Sequence, residues 1–391
     1  MKKEGRRDTP PFHLSRMDLT FVFPCLNESR TIALCIDAVR KSLEVDPALN
    51  YEIVVADNGS TDDSRQIATA HGARVVPVPQ RGYGAALRGG IEAAEGKYVM
   101  FADADGTYFY ENSLELYKTT AKADADMGIA SRMKGVIEPG AMPTLHRVLG
   151  TPVLTGLINL LFKGKLSDCN SGFRCLKKTA YKTWDIRASG MEFASELLIK
   201  ALKKKASTVE IVSGLRPAPV DRTPHLRTWR DGMRHLLFIL SERPRMFELG
   251  GLVLIIVASL LQAISAVTGL VNVAGLTFLG VHSQVLLLLA ALVGTQIYML
   301  SAAMFLQQSE KPRAITRKLI EMDEGSLFFL LVTLLGSISL VIGWLVIQWA
   351  RSSFAGLDYA STLIVWLHFL AVPSMITFGM LGVHILRKGK L

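Results

Sequence analysis

Hydrophobic and polar positions follow two different patterns along the 391 residues of the chain. From about Asp18 to Ser131, short apolar runs alternate with segments of helical spacing, which predicts strands and helices in turn. The predicted strands lie at 19–23, 51–56, 74–78 and 98–102, and the predicted helices lie at 31–43, up to residue 70 and at 84–94, with Ser29 as a candidate cap. This rhythm indicates an α/β fold with a mostly parallel sheet, whose ligands gather beyond the carboxyl ends of the strands.

The last third of the chain consists of long apolar runs. Asp, Glu, Lys and Arg are absent from 249–309, 325–350 and 359–386. A helix that crosses a bilayer needs about 20 apolar residues, so the first run holds two helices and the others hold one each. The predicted spans are about 249–270, 282–306, 327–350 and 363–386, with the Gly-rich stretch 269–280 as a turn outside the bilayer. Because the spans lack charged side chains, we expect them to anchor the protein, with His282, His368 and His384 at the interface.

Two segments ahead of the first span are amphipathic. Residues 145–162 are apolar on one side and too short to cross a bilayer, so we expect them to lie in the interface. Residues 226–240 carry apolar side chains on one face and arginines on the other, which predicts a helix in the membrane plane, with a core helix of the soluble domain as the alternative. The predicted organisation is a polar tail at 1–17, an α/β domain at 18–225, a juxtamembrane helix at 226–246 and the membrane region at 247–391.

Basic residues indicate the partner and the orientation. The net charge is +10, and between residues 200 and 245 eleven Lys or Arg stand against four acids, a segment that attracts anionic headgroups. We therefore expect a membrane as partner and no nucleic acid. The loop between the second and third spans and the C-terminal tail are basic, whereas the other two loops hold only Arg351. This asymmetry predicts a multi-pass protein of the cell membrane with its N-terminal domain in the cytoplasm.

Other sequence features bear on processing and redox state. The start of the chain, residues 1–11, is polar and charged, which predicts no cleavable signal peptide. The four cysteines, Cys25, Cys35, Cys169 and Cys175, lack the paired spacing of a zinc site. We expect them to be reduced structural thiols.

Two acidic motifs follow predicted strands. Asp103-Ala-Asp105 comes directly after an apolar strand, and its carboxylates suit a hard divalent cation, Mg²⁺ or Mn²⁺, that neutralises a diphosphate. Asp57-Asn-Gly-Ser-Thr-Asp62 closes the second strand, where Asp57 can accept hydrogen bonds from a base or ribose, or the motif can cap the next helix. Both motifs are predicted to converge on one nucleotide.

A third motif argues against a nicotinamide cofactor. Arg81-Gly-Tyr-Gly84 begins like a dinucleotide-binding fingerprint, but Leu87 stands where the third Gly should be. The motif also follows the third predicted strand instead of the first. We interpret it as a tight turn that opens a helix.

The ordered motifs resemble those of a known family. Segments 24–28, 57–62, 103–105, 131–132 and 167–174 come in the order of glycosyltransferase family 2, and within it they resemble the dolichyl-phosphate mannose and glucose synthase branch. Segments 190–196 and 227–235 are similar to bacterial members of that branch. The resemblance implies a Rossmann-like GT-A fold, inversion at the anomeric carbon and, as in many members, C-terminal membrane helices.

The resemblance also implies roles for individual residues. The residues implied for the nucleotide sugar are Pro24, Asn27, Glu28, Asp57 and Asp103, with Arg222 and Arg227 in a segment that closes over the donor diphosphate. The implied metal ligands are Asp103 and Asp105, and the implied contacts of the acceptor phosphate are Arg132, Arg147, Thr151, Ser171 and Arg174. Asp168, Arg132 and Asp105 would be catalytic, with Asp168 either orienting the acceptor or acting as a base, and Glu196 nearby. Two positions depart from the family pattern, Thr107 in place of Gln and His225 in place of Lys.

The resulting hypothesis is transfer of a hexose from a nucleotide diphosphate sugar to a polyprenyl phosphate at the cytoplasmic membrane face. UDP-glucose is the favoured donor and GDP-mannose the second, and a homo-oligomer is an expected form. The alternatives are transfer to another lipid or to a growing polysaccharide, or a lipid-binding scaffold with a degenerate transferase domain. The polysaccharide synthase alternative is weakened because the nearest match to the Q-x-x-R-W motif, 348–352, lacks the Trp.

Overall fold

The computed structural model describes residues 17–219, 228–268, 271–273, 276–278, 280–308, 310–351 and 360–388, without the side chains of 228–231, 271–273, 276–278 and 360. The chain forms two compact units, one ending at Ile239 and the next beginning at Leu240. Arg222, His225 and Arg227 lie outside the described residues, as does the tail before Met17.

The first unit is built on a seven-stranded sheet. Its strands are β1 (Leu19–Cys25), β2 (Tyr51–Asp57), β3 (Arg74–Pro77), β4 (Tyr98–Phe101), β5 (Met127–Ser131), β6 (Arg174–Lys177) and β7 (Thr208–Val212). The strand order is β3-β2-β1-β4-β6-β5-β7, and only β6 runs antiparallel to its neighbours. This confirms the predicted mostly parallel α/β fold of the GT-A kind.

Helices cover both faces of this sheet. They are α1 (Ile32–Leu43), α2 (Ser64–Ala70), α3 (Tyr83–Ala93), α4 (Ser113–Lys122), α5 (Thr151–Phe162), α6 (Lys178–Tyr181), α7 (Phe193–Lys203) and α8 (Thr228–Ser241), with a 3₁₀ turn at Tyr110–Asn112 and a π-helical turn at His146–Gly150. Side chains alternate across the strands. Phe21 of β1 therefore packs in one core with Ile36 of α1, and Val22 packs in a second core with Leu87 of α3. Two apolar layers thus hold the sheet rigid beneath the turns at its edge.

The start of α1 differs from the prediction. Thr31 occupies the N-cap position, without a side-chain capping hydrogen bond, so the expectation that Ser29 caps this helix was wrong. The main-chain N–H of Ser29 instead donates to Asp62 Oδ2 at 3.1 Å. Ser29 therefore ties the turn after β1 to the turn after β2.

The helix predicted before the first span is present as α8. Ile239 is fully buried in the second core and Phe238 packs against it, whereas Met233 and Leu237 are 43% and 58% exposed. The helix therefore packs on the first unit through one side and leaves Met233 and Leu237 of the predicted apolar face exposed. Its position in the membrane plane stays a prediction.

The second unit contains four helices that are long and apolar enough to cross a membrane. These are α9 (Pro244–Thr268), α10 (Val281–Phe305), α12 (Glu324–Arg351) and α13 (Ala360–Lys388), and they are joined in part by the antiparallel strands β8 (Val271–Val273) and β9 (Leu276–Phe278) and by the short helix α11 (Ala314–Glu321). Gly251 and Gly294 let α9 and α10 approach closely, because a Cβ on Gly251 would lie 2.7 Å from the Gly294 carbonyl oxygen. The expected interfacial position of His368 was wrong: its side chain is fully buried, 2.9 Å from Ser259 Oγ.

Candidate active site

Turns at the carboxyl edge of the sheet are tied to one another by side-chain hydrogen bonds. Because β1, β2 and β4 are parallel, their carboxyl ends meet at this edge. Asn27, after β1, has a left-handed φ of 58°, and its Oδ1 accepts a hydrogen bond from the Thr61 N–H at 2.8 Å. After β2, Asn58 Oδ1 accepts from the Gly82 N–H at 2.8 Å. The turns after β1 and β2 and the start of α3 therefore form one connected rim.

Asp57, predicted to contact the nucleotide, shapes this rim. It is 2% exposed, its Oδ1 accepts from the Ser60 N–H at 3.0 Å, and its Oδ2 accepts from the Gly59 N–H at 3.2 Å. Arg65 Nε lies 3.5 Å from Oδ2. The carboxylate thus holds the turn in a fixed shape.

Glu28 lies beside the Asp103–Asp105 segment. The Thr31 hydroxyl joins them, because its Oγ1 lies 2.7 Å from the Ala104 carbonyl oxygen and 3.2 Å from Glu28 Oε2. Pro24 is buried within β1, one residue before the strand ends at Cys25, and its contact with the nucleotide stays a prediction. The structure therefore brings Asn27, Glu28 and the acidic pair to one edge of the sheet.

Asp103 is fixed from two sides. Tyr83 donates its hydroxyl hydrogen to Asp103 Oδ1 at 2.7 Å, and burial and then the neighbouring Asp103 charge raise the pKa of Tyr83, so that it stays a neutral donor. On the other side, a Cβ on Gly172 would lie 2.9 Å from Asp103 Oδ2. Gly172 therefore lets the 167–173 loop approach the carboxylate.

Asp105 is oriented by its own turn. Its Oδ1 accepts from the Thr107 N–H at 3.0 Å and from the Thr107 hydroxyl at 2.6 Å. Thr107 stands where many relatives carry Gln, and here it supplies a hydrogen bond that holds the carboxylate. The departure from the family pattern thus leaves Asp105 in a defined orientation.

A buried ion pair joins β5 to the 167–173 loop. Arg132 Nε lies 2.8 Å from Asp168 Oδ2 and Arg132 Nη2 lies 2.9 Å from Oδ1, with Asp168 fully buried and Arg132 9% exposed. Burial alone would raise the pKa of the Asp168 carboxyl, but the charge and hydrogen bonds of Arg132 outweigh it and lower the pKa. Asp168 is therefore ionised at neutral pH, and its contacts fit a group that positions Arg132.

Ser171 lies in the same loop, and Arg174 begins β6 directly after it. Arg174 is 1% exposed and donates to the carbonyl oxygens of Ser171, Cys169 and Ala194 at 2.8, 2.8 and 3.0 Å. Ser171 is fully buried, and its hydroxyl donates to the Ala130 carbonyl oxygen at 2.7 Å. These contacts shape the loop that carries Asp168, and contact of either residue with the acceptor phosphate stays a prediction.

A groove of about 490 Å³ is lined in part by residues next in sequence to this ion pair. The residues that line it are Met133, Gly135, Ile137, Arg147, Pro152, Thr155, Gly156, Asn159, Leu166 and Ser167. Arg147 is exposed in the π-helical turn, and Thr151 is 3% exposed, with its Oγ1 3.4 Å from Asn170 Nδ2. The groove thus combines apolar and polar lining residues with one exposed guanidinium, and its residues Met133 and Ser167 are next in sequence to Arg132 and Asp168.

Comparison with known proteins agrees with this geometry. Residues 20–184 match the model of glycosyl transferase family 2. The low-salt glycan biosynthesis hexosyltransferase Agl6 of Haloferax volcanii is 33% identical over 369 residues, which are 92% of this chain and 87% of that protein. The chain belongs to glycosyltransferase family 2.

Other relatives share the transferase domain. The human dolichyl-phosphate beta-glucosyltransferase is 30% identical over 260 residues, which are 61% of this chain and 80% of that protein. A crystal structure of glucosyl-3-phosphoglycerate synthase from Mycobacterium tuberculosis with Mn²⁺ and UDP is 25% identical over 57% of this chain and 79% of that chain, with a TM-score of 0.45. Each of these two matches covers about three-fifths of this chain.

The acidic pair of this transferase fits a divalent cation. Asp103 and Asp105 supply two hard oxygen donors at the rim, and in the described part of the chain no cluster of three His, Cys, Asp or Glu side chains forms a complete metal cage. Two carboxylates plus substrate phosphates are the usual surroundings of Mg²⁺ in nucleotide enzymes. The residues therefore fit a metal that binds together with the diphosphate.

Glu196 supports the transferase site from beneath. Its Oε2 accepts from the N–H groups of Arg187 and Ala188 at 3.0 and 2.7 Å, and its Oε1 lies 2.7 Å from Lys200 Nζ. The loop it holds packs on the start of α3, where a Cβ on Gly82 would lie 2.1 Å from the Ser189 carbonyl oxygen. Glu196 thus fixes the turn that precedes Tyr83.

Sequence reasoning missed three tyrosines of this site. Tyr83 contacts Asp103, Tyr108 OH accepts from the Gly172 N–H at 2.7 Å, and Tyr110 OH donates to the Asp103 carbonyl oxygen at 2.7 Å. The signal was present, because two of them follow the acidic motif within five residues and the third lies in the rejected glycine motif.

Proposed function

We propose that the chain transfers one hexose from a nucleotide diphosphate sugar to the phosphate of a polyprenyl phosphate, with inversion at the anomeric carbon. The observation that carries the proposal is the Arg132–Asp168 pair, whose neighbours in sequence, Met133 and Ser167, line the same groove as Arg147. Guanidinium groups bind phosphate through directed, charge-assisted hydrogen bonds. The apolar side chains in the groove, Met133, Ile137, Pro152 and Leu166, suit the first part of an isoprenoid chain.

The expected donor is UDP-glucose, with GDP-mannose second. Support comes from the names of two relatives, a glycan biosynthesis hexosyltransferase and a dolichyl-phosphate glucosyltransferase. Asn27, Glu28 and Asp57 would hold the nucleotide at the rim. Arg222 and Arg227 are proposed to close over its diphosphate.

The proposed reaction needs no strong base. A phosphate oxygen of the acceptor attacks the anomeric carbon while the bond from that carbon to the donor diphosphate breaks, and the acceptor is already an anion at neutral pH. Arg132 and Arg147, with Thr151 beside them, would bring the acceptor phosphate to the sugar against the repulsion of the diphosphate. A divalent cation held by Asp103 and Asp105 would stabilise the leaving diphosphate. Asp168 would act by orienting Arg132.

We also propose that the transferase domain lies on the cytoplasmic side of the membrane. Basic residues follow α10, at Lys311, Arg313, Arg317 and Lys318, and others end α13, at Arg387 and Lys388. The segment after α10 is predicted to lie on the same side of the membrane as the transferase domain. This is the distribution that the positive-inside rule associates with cytoplasmic segments. Nucleotide sugars would then reach the rim from the cytoplasm.

Transfer assays on detergent-purified protein test the proposal. Undecaprenyl phosphate is paired in turn with radiolabelled UDP-glucose, GDP-mannose and UDP-N-acetylglucosamine, with Mg²⁺ or with a chelator. We expect metal-dependent label in the lipid phase from one donor, and none in Asp105→Ala. Absence of lipid-phase product from every donor, in protein that still binds nucleotide, would refute the polyprenyl phosphate acceptor.

A further inference from the structure

Polar side chains form a cluster inside the membrane unit, which we call the polar seam. It consists of Ser259, Gln262 and Ser265 of α9, Gln284 of α10, and Ser361 and His368 of α13. Gln262 and His368 are fully buried, and Gln284 is 1% exposed. None of the side chains that form the seam carries a carboxylate, ammonium or guanidinium group.

Two groups of hydrogen bonds define the ends of the seam. At the outer end, Gln284 Nε2 donates to Ser265 Oγ and to Ser361 Oγ, each at 2.7 Å, and Ser361 is exposed. At the inner end, Ser259 Oγ lies 2.9 Å from His368 Nε2. The seam therefore joins three spans and reaches the surface at Ser361.

Gln262 lies between these two groups along α9. Within the described part of the chain, neither of its amide atoms has a hydrogen-bond partner, and the same is true of His368 Nδ1 and Gln284 Oε1. At a rise of 1.5 Å per residue, Gln262 lies about 9 Å from the end of α9 at Thr268, and His368 lies about 12 Å from the start of α13. Polar atoms at this depth require partners, because lipid chains supply none.

The ligand that fits these atoms is uncharged. An amide offers two N–H donors and a carbonyl acceptor, and an imidazole nitrogen donates or accepts according to its tautomer. A phosphate or an ammonium group would need an opposite charge, which the seam side chains do not provide. We propose that the polar seam is a binding site for uncharged hydroxyl groups inside the membrane, which enter from the end at Ser361.

Cysteine labelling of the full-length protein tests this site. The four native cysteines are buried in the first unit, and burial raises the pKa of the Cys35 and Cys175 thiols to about 12, so their background reaction is low. Gln262→Cys and His368→Cys are prepared separately in nanodiscs of phosphatidylethanolamine and phosphatidylglycerol. The probe is methyl methanethiosulfonate, which is small and uncharged, and thermal melting confirms that each variant is folded.

Two control positions lie on α9 about 3 and 6 Å farther than Gln262 from its end at Thr268. Leu260 is 60% exposed on the outer surface of the unit, and Ala258 is 3% exposed in an apolar contact. We expect Gln262→Cys and His368→Cys to react at least about tenfold faster than Leu260→Cys and Ala258→Cys, because only a hydrated thiol forms the reactive thiolate. Equal rates in folded seam and control variants would overturn the proposal.

Varying the lipid composition of the nanodiscs shows whether the hydroxyl groups belong to a sugar or to water. Nanodiscs with the glycosylated polyprenyl phosphate are compared with nanodiscs that contain polyprenyl phosphate alone, an arm that rests on the proposed function. Slower labelling of the seam in the first kind identifies the sugar as the ligand, and an unchanged rate identifies water. Labelling itself does not depend on transfer, so an inactive enzyme with a reactive seam would contradict the proposed function and leave this site supported.

Discussion

Asp168→Asn removes the charge that positions Arg132 while keeping the shape of the side chain. Asp168 accepts hydrogen bonds from Arg132 N and Nε on Oδ2, and from Arg132 Nη2 and Asn170 N on Oδ1. In Asn, an –NH₂ group replaces either Oδ1 or Oδ2. In both orientations it faces two N–H donors whose hydrogen bonds the lost oxygen had accepted. One bond to a guanidinium and one main-chain bond are then lost in a buried site. We expect a loss of about 3 kcal/mol of unfolding free energy.

The measurement is thermal melting of the purified protein together with the transfer rate. For a domain of this size, about 3 kcal/mol corresponds to a fall in Tm of about 6–12 °C. We expect kcat to fall about 100-fold, since a displaced guanidinium no longer meets the acceptor phosphate. The control is Asp124→Asn, which breaks an exposed pair with Lys177 and should leave both quantities near the wild-type values. A variant with normal Tm and normal kcat would refute the positioning role of Asp168.

Three further outcomes follow from the same site. Tyr83→Phe removes the hydroxyl bond to Asp103, so nucleotide binding with metal, measured by calorimetry, should weaken roughly tenfold, whereas Tyr181→Phe should bind normally; equal affinities would contradict this. Gly172→Ala would place a methyl group against Asp103 and should lower kcat, whereas Gly336→Ala, at an open position in α12, should not; unchanged activity in both would refute the close approach. Because the Asp168 pKa is lowered, its stabilising charge is present above the unfolded pKa of about 3.9 and is lost only as the pH falls through the lower folded value. The Tm difference between wild type and Asp168→Asn should therefore stay constant from pH 5 to 8, and a difference that disappears within that range would contradict the assignment.

The strands and the acidic pair could be predicted because their signals are local. β1, β2 and β4 are apolar runs that end at polar motifs, and parallel strands bring such motifs to one edge. The spans are equally local, since an uncharged run of sufficient length has few other interpretations. The predicted and observed spans accordingly differ only at their ends.

Contacts between distant segments could not be predicted in the same way. Tyr83 reaches Asp103 across 20 residues, and Asp168 reaches Arg132 across 36, so no periodic pattern records either pair. The buried position of His368 likewise depends on Ser259, 109 residues earlier in the chain. A single polar residue in an apolar span does not reveal which neighbour it faces.

The most direct test of the central claim is the chemical structure of the lipid product. Lipid formed from UDP-glucose and undecaprenyl phosphate is analysed by mass spectrometry for the number of hexoses and by NMR for the anomeric configuration. We predict one hexose joined through one phosphate to the polyprenol, with the β configuration that inversion of an α-linked donor produces. A diacylglycerol glycoside, a longer saccharide or an α-linked product would contradict the account.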